Sequence, residues 1–350
     1  SRIYGETGVL ITKAMVMAAG VGSRLEPLTQ NVPKPLVPVL NKPVMDILLQ
    51  KLKSYGIEKV IANTHYLAKQ IEDRYSKNSP VDIDFSFIRE TDLSGTAGGV
   101  KKCESFFEGE KDFLVVSADG LHDADLEKVM RSHKESGCIA TMAISAVEHN
   151  EVSKYGVVVS SPEHRVIEFQ EKPPVNEAKS NFINTGIYVF NKRIFDFIPK
   201  GEKYDFAKNV FPALLKAGEK INTYRIYSYW SDIGSIEQYI ESNIDALHRK
   251  VMIPQPNIIK KYDAVYVCRK NTVLGESVKI SNNAVIGSNC KIGKNVSLDN
   301  VILWDNTIVA DNVTLKNVVA AENTVIKSSI TGNEKWEIIA PDKIIDLSLV

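Results

Sequence analysis

An aliphatic residue returns every six positions through the last third of this chain. Leu274, Ile280, Ile286, Ile292 and Leu298 keep the step; Leu303, Val309 and Leu315 continue it after one five-residue step. Ile326 falls close to the same register. Gly, Asn, Ser and Asp fill the intervals, as in LGESVK, ISNNAV, IGSNCK and IGKNVS. A helix repeats its faces about every 3.6 residues and a strand about every 2, so neither yields a period of six. A hexapeptide β-helix does. Each flat side takes one inward aliphatic, and each corner takes a small or polar residue. Residues 264–330 are therefore expected to form a β-helix, with a tail at 331–350.

The chain before the repeat follows a different pattern. KAMVMAA reads as a buried strand. PVMDILLQKLKSYGI reads as a helix, with Pro43 in its first turn and Val44, Ile47, Leu48, Leu52 and Tyr55 on one face. KVIAN, VDIDFSFI, DFLVVSA and CIATMAISA read as strands, and LEKVMRSHKESG as a helix stopped by Gly137. Strand and helix alternating in this way predict an α/β domain with a largely parallel sheet over residues 13–248. Ligands of such sheets bind beyond the carboxyl ends of the strands. HRKVMIPQPNIIKKYD, with its two prolines and no clear period, reads as a linker over 249–263. Residues 1–12 are expected to be a disordered or artificial leader, with the initiator missing ahead of Ser1.

Charge and cysteine usage narrow the function classes. Lys plus Arg and Asp plus Glu both count 43, so no basic excess marks a nucleic-acid partner. Cys103, Cys138, Cys268 and Cys290 are not paired at metal-ligand spacing, which reads as reduced cytosolic thiols and a cytoplasmic location. No apolar run reaches the ~18 residues of a membrane span. Hexapeptide repeats often serve acyl transfer with a histidine base. All six histidines, the last being His248, precede this repeat. It is instead expected to oligomerise the chain, as a homo-oligomer, or to regulate it.

The chemistry points to MVMAAGVGSRLEPLTQNVPKPLVPV, Met15 to Val39. A dinucleotide loop needs G-x-G-x-x-G, but Leu25 holds the third glycine position, and no G-K-[ST] loop occurs. The backbone at Ala18, Ala19, Gly20 and Gly22 remains able to approach phosphates closely. Arg24 offers a fork of donors, and Lys34 is stiffened between Pro33 and Pro35.

The stretch MAAGVGSRLEPLTQNVPKPLVPVLNKP resembles the signature of the sugar-1-phosphate nucleotidyltransferases, also called nucleoside-diphosphate-sugar pyrophosphorylases. SGTAGG, EFQEKP, FINTGIYVF and YWSDIGSIEQY extend the resemblance, which spans roughly residues 13–330. It implies an α/β fold: a Rossmann-like nucleotidyltransferase domain followed by a left-handed β-helix. It also implies that a sugar 1-phosphate attacks the α-phosphorus of a nucleoside triphosphate and pyrophosphate leaves. By the same resemblance Arg24, Lys34, Asp119 and Asp232 are catalytic, and Asp119 and Asp232 bind Mg2+. Ala18, Ala19, Gly20, Gly22, Glu90, Gly95 and Thr96 would meet the nucleotide. Lys172 would hold the sugar phosphate and Glu171 its hydroxyls, with Tyr155, Gly156, Asn184 and Gly186 lining the sugar pocket. For Tyr155 a packing role is equally open. The family usually has Gly before the first metal aspartate; here it is Ala118, which leaves room for a regulatory subunit that binds nucleotide sugars without turnover.

Glu90 bears on the base. A carboxylate only accepts hydrogen bonds, and guanine presents two adjacent donors. This favours GTP. YDFAKNVFPALL and YWSDIGSIEQY also resemble mannose-1-phosphate guanylyltransferases, and that resemblance alone implies mannose 1-phosphate, giving GDP-mannose. The alternative is glucose 1-phosphate with dTTP or UTP.

Overall fold

The alternating pattern folds into one mixed sheet. The computed structural model describes residues 10–254 and 257–341. Its sheet strands are β1 (Lys13–Met17), β2 (Lys59–Thr64), β3 (Asp84–Arg89) and β4 (Asp112–Ser117). A short β5 (Leu121–His122) follows, then β6 (Ala140–Ala146), β7 (Gly156–Ser160), β8 (Val166–Glu171), β9 (Phe182–Asn191), β10 (Ile221–Ile226) and a short β11 (Trp230–Ser231). The order is β8-β7-β9-β4-β1-β2-β3, with β6 pairing β9 and β10. β4, β1, β2 and β3 run parallel, which is the Rossmann-like half. β9 runs antiparallel to β4, β6 and β7.

The helices are amphipathic, as their periodicity predicts. α1 (Val44–Ser54) begins one residue after Pro43, which itself pairs in a short strand. α2 is Ala68–Ser76 and α3 is Gly95–Lys102. α4 (Leu126–Ser136) is capped by the Asp125 carboxylate, which accepts from Lys128 N–H, and is closed by Gly137 at φ 65°. Phe113, Phe190, Phe206 and Phe211 are fully buried in the core around β4 and β9. Each such ring stabilises the fold by about 2 kcal/mol.

The chain divides into two compact units that do not follow the expected boundary at 248. Among the described residues, one unit is 10–20 and 48–232; the other is 21–47 and 233–341. The second unit contains α5 (Ile236–Leu247) and the repeat.

In the repeat, parallel strands stack in two ladders. Val273 pairs with Lys291, Lys291 with Ile308, and Ile308 with Val325. Each rung therefore lies 17 or 18 residues on, about three hexapeptides. Parallel ladders with this spacing are consistent with the β-helix expectation. Ile286, Ile292, Leu298, Leu303, Val309, Leu315 and Ile326 are buried in its core. Leu274 is 38% exposed, because its strand is the edge of its ladder. Asparagines occupy the left-handed corners at 289, 295, 306, 312 and 323, where their short polar side chains lower the cost of positive φ. Asn283, Asn300 and Asn317 hydrogen-bond in a row along the stack.

Three expectations are corrected. The leader does not reach residue 12: Ile11 is buried and the Thr12 carbonyl accepts from Glu58 and Lys59 N–H at 2.8 and 3.2 Å. Residues 1–9 lie outside the described residues. The supposed linker contains the strand Ile258–Lys261, paired with Ala264–Cys268, and Val251 and Ile253 are buried. The supposed tail contains Glu337–Ile339, which extends the ladder beside Val318–Ala320.

Candidate active site

The loops after β1 and β4 leave the sheet side by side. Ala118 N–H donates to the Met17 carbonyl at 3.0 Å, extending the β1–β4 ladder by one residue. Asp119 thus emerges beside Ala18, at the crevice where open α/β sheets bind ligands. β5 and β11 pair antiparallel, with Ser231 opposite Leu121. Asp119 stands two residues before Leu121 and Asp232 one after Ser231, so this register leaves both aspartates at the same end of the ribbon. Both are half-buried. Among the described residues no group of three or more His, Cys, Asp or Glu could hold a metal. A pair of carboxylates fits magnesium, which binds one or two carboxylates and completes its shell with water and substrate phosphates. Ala118 is 1% exposed, so its methyl group is enclosed by protein.

The ribbon also contains a buried histidine. Burial, then the neighbouring Lys51 charge, pushes His122 down to about 3. Lys51 donates to the His122 carbonyl; burial lowers the lysine to about 8 against the opposing pull of Asp123 and Asp125.

The sugar candidates gather on β7, β8 and β9. Glu171 pairs opposite Gly156. A Cβ on Gly156 would lie 3.4 Å from Glu171 Oε2 and 3.8 Å from Asn184 Cβ. Between Asn184 and Tyr188 the β9 register shifts, and such irregularities re-aim side chains at sites. The Asn184 carboxamide is fixed there: Gly186 N–H donates to its Oδ1 at 2.9 Å, and its Nδ2 donates to the Tyr188 hydroxyl at 2.6 Å. Gly186 faces Ser117, the last residue of β4. Lys172 follows β8 at φ 43°, uncommon for a residue with a side chain and typical of functional positions. It and Glu171 are exposed. Tyr155 packs edge-on against Trp230 at 5.6 Å between ring centroids, so the packing role left open for it is real.

Glu90 is held inside the protein. Its side chain is only 1% exposed. Asn63 donates to Oε2 at 2.9 Å, Lys102 to Oε1 at 3.0 Å, and the Ser94 hydroxyl also to Oε1. Burial alone would raise its pKa, but hydrogen bonds from Ser94, Asn63 and Lys102 outweigh it and hold the carboxyl below its usual range. The carboxylate is an internal hub. Asn63 Oδ1 in turn accepts from Ala18 N–H at 2.9 Å, so the hub ties β1, β2, β3 and both ends of α3 together. Both oxygens that would accept from guanine are engaged within the protein. Sequence reading missed this, since Asn63 and Lys102 are ordinary residues of a strand and a helix.

Gly95 and Thr96 contact the segment 204–206. A Cβ on Gly95, at φ 79°, would come within 2.4 Å of the Tyr204 carbonyl oxygen. Thr96 N–H donates to Asp205 at 3.2 Å, and its hydroxyl accepts from Phe206 N–H at 2.9 Å. These contacts give the pair a structural role beside the expected nucleotide role, and Thr96 stays exposed. Gly95→Ala is expected to destabilise the fold by about 3 kcal/mol, from left-handed strain plus overpacking. An unchanged denaturant midpoint would contradict that role.

The division between the units falls within the glycine turn: Gly20 belongs to the first unit, and Gly22, Arg24 and Lys34 to the second. A Cβ on Gly22, at φ 70°, would come within 2.8 Å of Lys34 Cβ, so the lysine stem lies directly over this glycine. Thr29 Oγ1 donates to the Gly22 carbonyl at 2.8 Å and is buried. Lys34 opens a 3-10 turn with Pro33 before it and Pro35 in its first turn. Arg24, in the turn Ser23–Leu25, is exposed. Nothing lies within 4 Å of a Cβ built on Gly20, so its surroundings are open.

The pattern of nucleotidyl transferases matches residues 13–249. The chain belongs to the nucleotidyl transferase family. This family member is 36% identical over 316 residues to a UTP–glucose-1-phosphate uridylyltransferase of Synechocystis, covering 82% of this chain and 81% of the relative. It is 29% identical to a mannose-1-phosphate guanylyltransferase of Mycobacterium tuberculosis, covering 82% and 78%. A solved UDP-glucose pyrophosphorylase in complex with UDP-glucose superimposes with a TM-score of 0.60 at 25% identity, covering 69% of this chain and all of that one. The transferase is thus a sugar-1-phosphate nucleotidyltransferase. Among its described residues no helix is long and apolar enough to cross a membrane.

Proposed function

We propose that this transferase converts UTP and glucose 1-phosphate to UDP-glucose and pyrophosphate, with magnesium. One observation carries the choice of base: the Glu90 carboxylate, the feature that favoured guanine, is buried and committed to Asn63, Ser94 and Lys102. With that argument removed, the similarity to the Synechocystis uridylyltransferase supports uridine and glucose. A second reading, GTP with mannose 1-phosphate, is supported by the similarity to the Mycobacterium tuberculosis guanylyltransferase.

An oxygen of the sugar phosphate forms a bond to the α-phosphorus. The bond from that phosphorus to the bridging oxygen breaks, and pyrophosphate leaves with the electron pair. No covalent enzyme intermediate is needed, so catalysis is alignment and charge neutralisation. Arg24 holds the triphosphate and the departing pyrophosphate. Lys34 offsets repulsion between the two reacting anions. Lys172 holds the sugar phosphate, Glu171 accepts from sugar hydroxyls, and Asn184, Gly186 and Gly156 shape the sugar pocket. Asp119 and Asp232 would hold magnesium, which when bound neutralises phosphate charge.

Pyrophosphate release across five nucleoside triphosphates, each with glucose or mannose 1-phosphate, tests the reading. UTP with glucose 1-phosphate is expected to give the highest kcat/KM. GTP with mannose 1-phosphate ranking first would replace it with the second reading. Glu90→Gln is expected to lower kcat/KM for all nucleotides together. A tenfold or larger change in the UTP-to-GTP ratio would restore Glu90 as a base reader.

A further inference from the structure

The phosphate loop runs on into a tight hairpin that pairs Pro38–Val39 with Lys42–Pro43. Leu40 and Asn41 form its turn at φ 49° and 56°. Lys34 is joined to this hairpin by two short backbone links: Val37 N–H donates to the Lys34 carbonyl at 3.1 Å, and Val44 N–H to the Val37 carbonyl at 3.1 Å. A turn with a non-glycine residue in the left-handed region persists only when its surroundings hold it.

The holders come from α5 and from the repeat. The Leu40 carbonyl accepts from Arg269 Nε at 2.9 Å and Nη2 at 2.6 Å. Leu40 N–H donates to Asn243 Oδ1 at 2.9 Å. The Tyr239 hydroxyl donates to the Pro38 carbonyl at 2.7 Å and accepts from Trp304 Nε1 at 2.8 Å. Asn41 Nδ2 donates to the Leu303 carbonyl at 3.2 Å. Tyr239, Asn243 and Trp304 are buried, as is Leu40 itself. Arg269 follows the repeat strand Ala264–Cys268, and Leu303 and Trp304 close the strand Ser297–Leu303. Burying a guanidinium, an indole N–H and a phenol costs free energy unless each finds a partner. Here half-buried Arg269 and buried Tyr239 both donate to backbone carbonyls of the hairpin that follows Lys34.

We propose that the repeat is part of the transfer machinery, with Arg269, Tyr239 and Trp304 acting as positioning residues that set Lys34 through the Pro38–Asn41 turn. The proposal rests on the role given to Lys34 above. It assigns the repeat a task within each chain, distinct from oligomerisation. Anything that disturbs the first coils would then change turnover without touching a substrate.

The test uses the full chain and four variants: Arg269→Met, Arg269→Lys, Trp304→Phe and Lys34→Ala. Arg269→Met keeps the stem but cannot donate. It is expected to lower kcat by about 10²-fold, the scale of a misplaced reacting group, with KM little changed. Arg269→Lys, which keeps one donor, is expected to recover part of the loss. The discriminating readout is the double variant Arg269→Met with Lys34→Ala. A positioning role acting through Lys34 predicts no loss beyond that of Lys34→Ala alone, whereas a general structural defect multiplies the two losses. Multiplied losses overturn the proposal, as does a folded Arg269→Met with unchanged kcat. If Arg269→Met does not fold, Trp304→Phe takes its place in the same cycle, with the same two outcomes. If Lys34→Ala keeps full turnover, the reading of Lys34 fails and this proposal falls with it. If Lys34→Ala is inactive and the repeat variants are unaffected, only this proposal falls.

Discussion

Replacing Lys34 with alanine is expected to lower kcat by about 10²- to 10³-fold, the cost of removing one preorganised charge-stabilising donor. KM for either substrate should move far less if, as proposed, the lysine acts mainly as charge redistributes in the transition state. The expectation comes from how the residue is held. Pro33 and Pro35 restrict the backbone on both sides, and the 3-10 turn Lys34–Leu36 begins at the lysine itself. Its stem lies over Gly22, where even a methyl group would come within 2.8 Å of Lys34 Cβ. A lysine whose backbone and stem are held this way has less freedom to lose when two anions meet. Steady-state kinetics of Lys34→Ala check the point; unchanged kcat would leave the lysine a packing residue.

Converting Asp232 to asparagine is expected to cost on the order of 10³-fold in magnesium-dependent turnover, since a metal's charge stabilisation is worth several kcal/mol and each 1.4 kcal/mol is tenfold. Asparagine keeps the shape and removes the charge, so the pairing of Trp230–Ser231 with Leu121–His122 should survive. The measurement is turnover against magnesium concentration. The native enzyme should rise to a plateau, and the variant should stay flat. A variant that follows the native curve would remove Asp232 from the metal site. Asp119→Asn should behave alike, because the ribbon register brings both residues to one end.

How much of this was legible in the sequence depends on the range of the interactions. The six-residue period located the repeat because its cause is local: one aliphatic per side, one small residue per corner. The α/β alternation and the Gly137 stop of α4 are equally local, and the structure has them. The ends of segments were misjudged where distant partners decide them. Ile258–Lys261 is a strand only because Ala264–Cys268 lies beside it. Glu337–Ile339 is one only because it lies beside Val318–Ala320. The antiparallel half of the sheet was also hidden, since strand direction leaves little trace in a buried apolar run. Resemblance alone singled out Asp119, Glu171 and Asn184, and the structure brings Glu171 and Asn184 together around Gly156. Glu90 could not be judged that way. Its character is set by Asn63, 27 residues earlier, and by Lys102, 12 residues later. The same holds for Arg269 and Leu40, 229 residues apart.

Phosphorus NMR of the native protein with UTP, glucose 1-phosphate and magnesium follows both products of the proposed uridylyl transfer at once. UDP-glucose and pyrophosphate are expected to appear in equal amounts, and neither should form when the sugar phosphate or the magnesium is left out. Persistence of UTP under these conditions, or pyrophosphate released without sugar phosphate, would contradict that transfer.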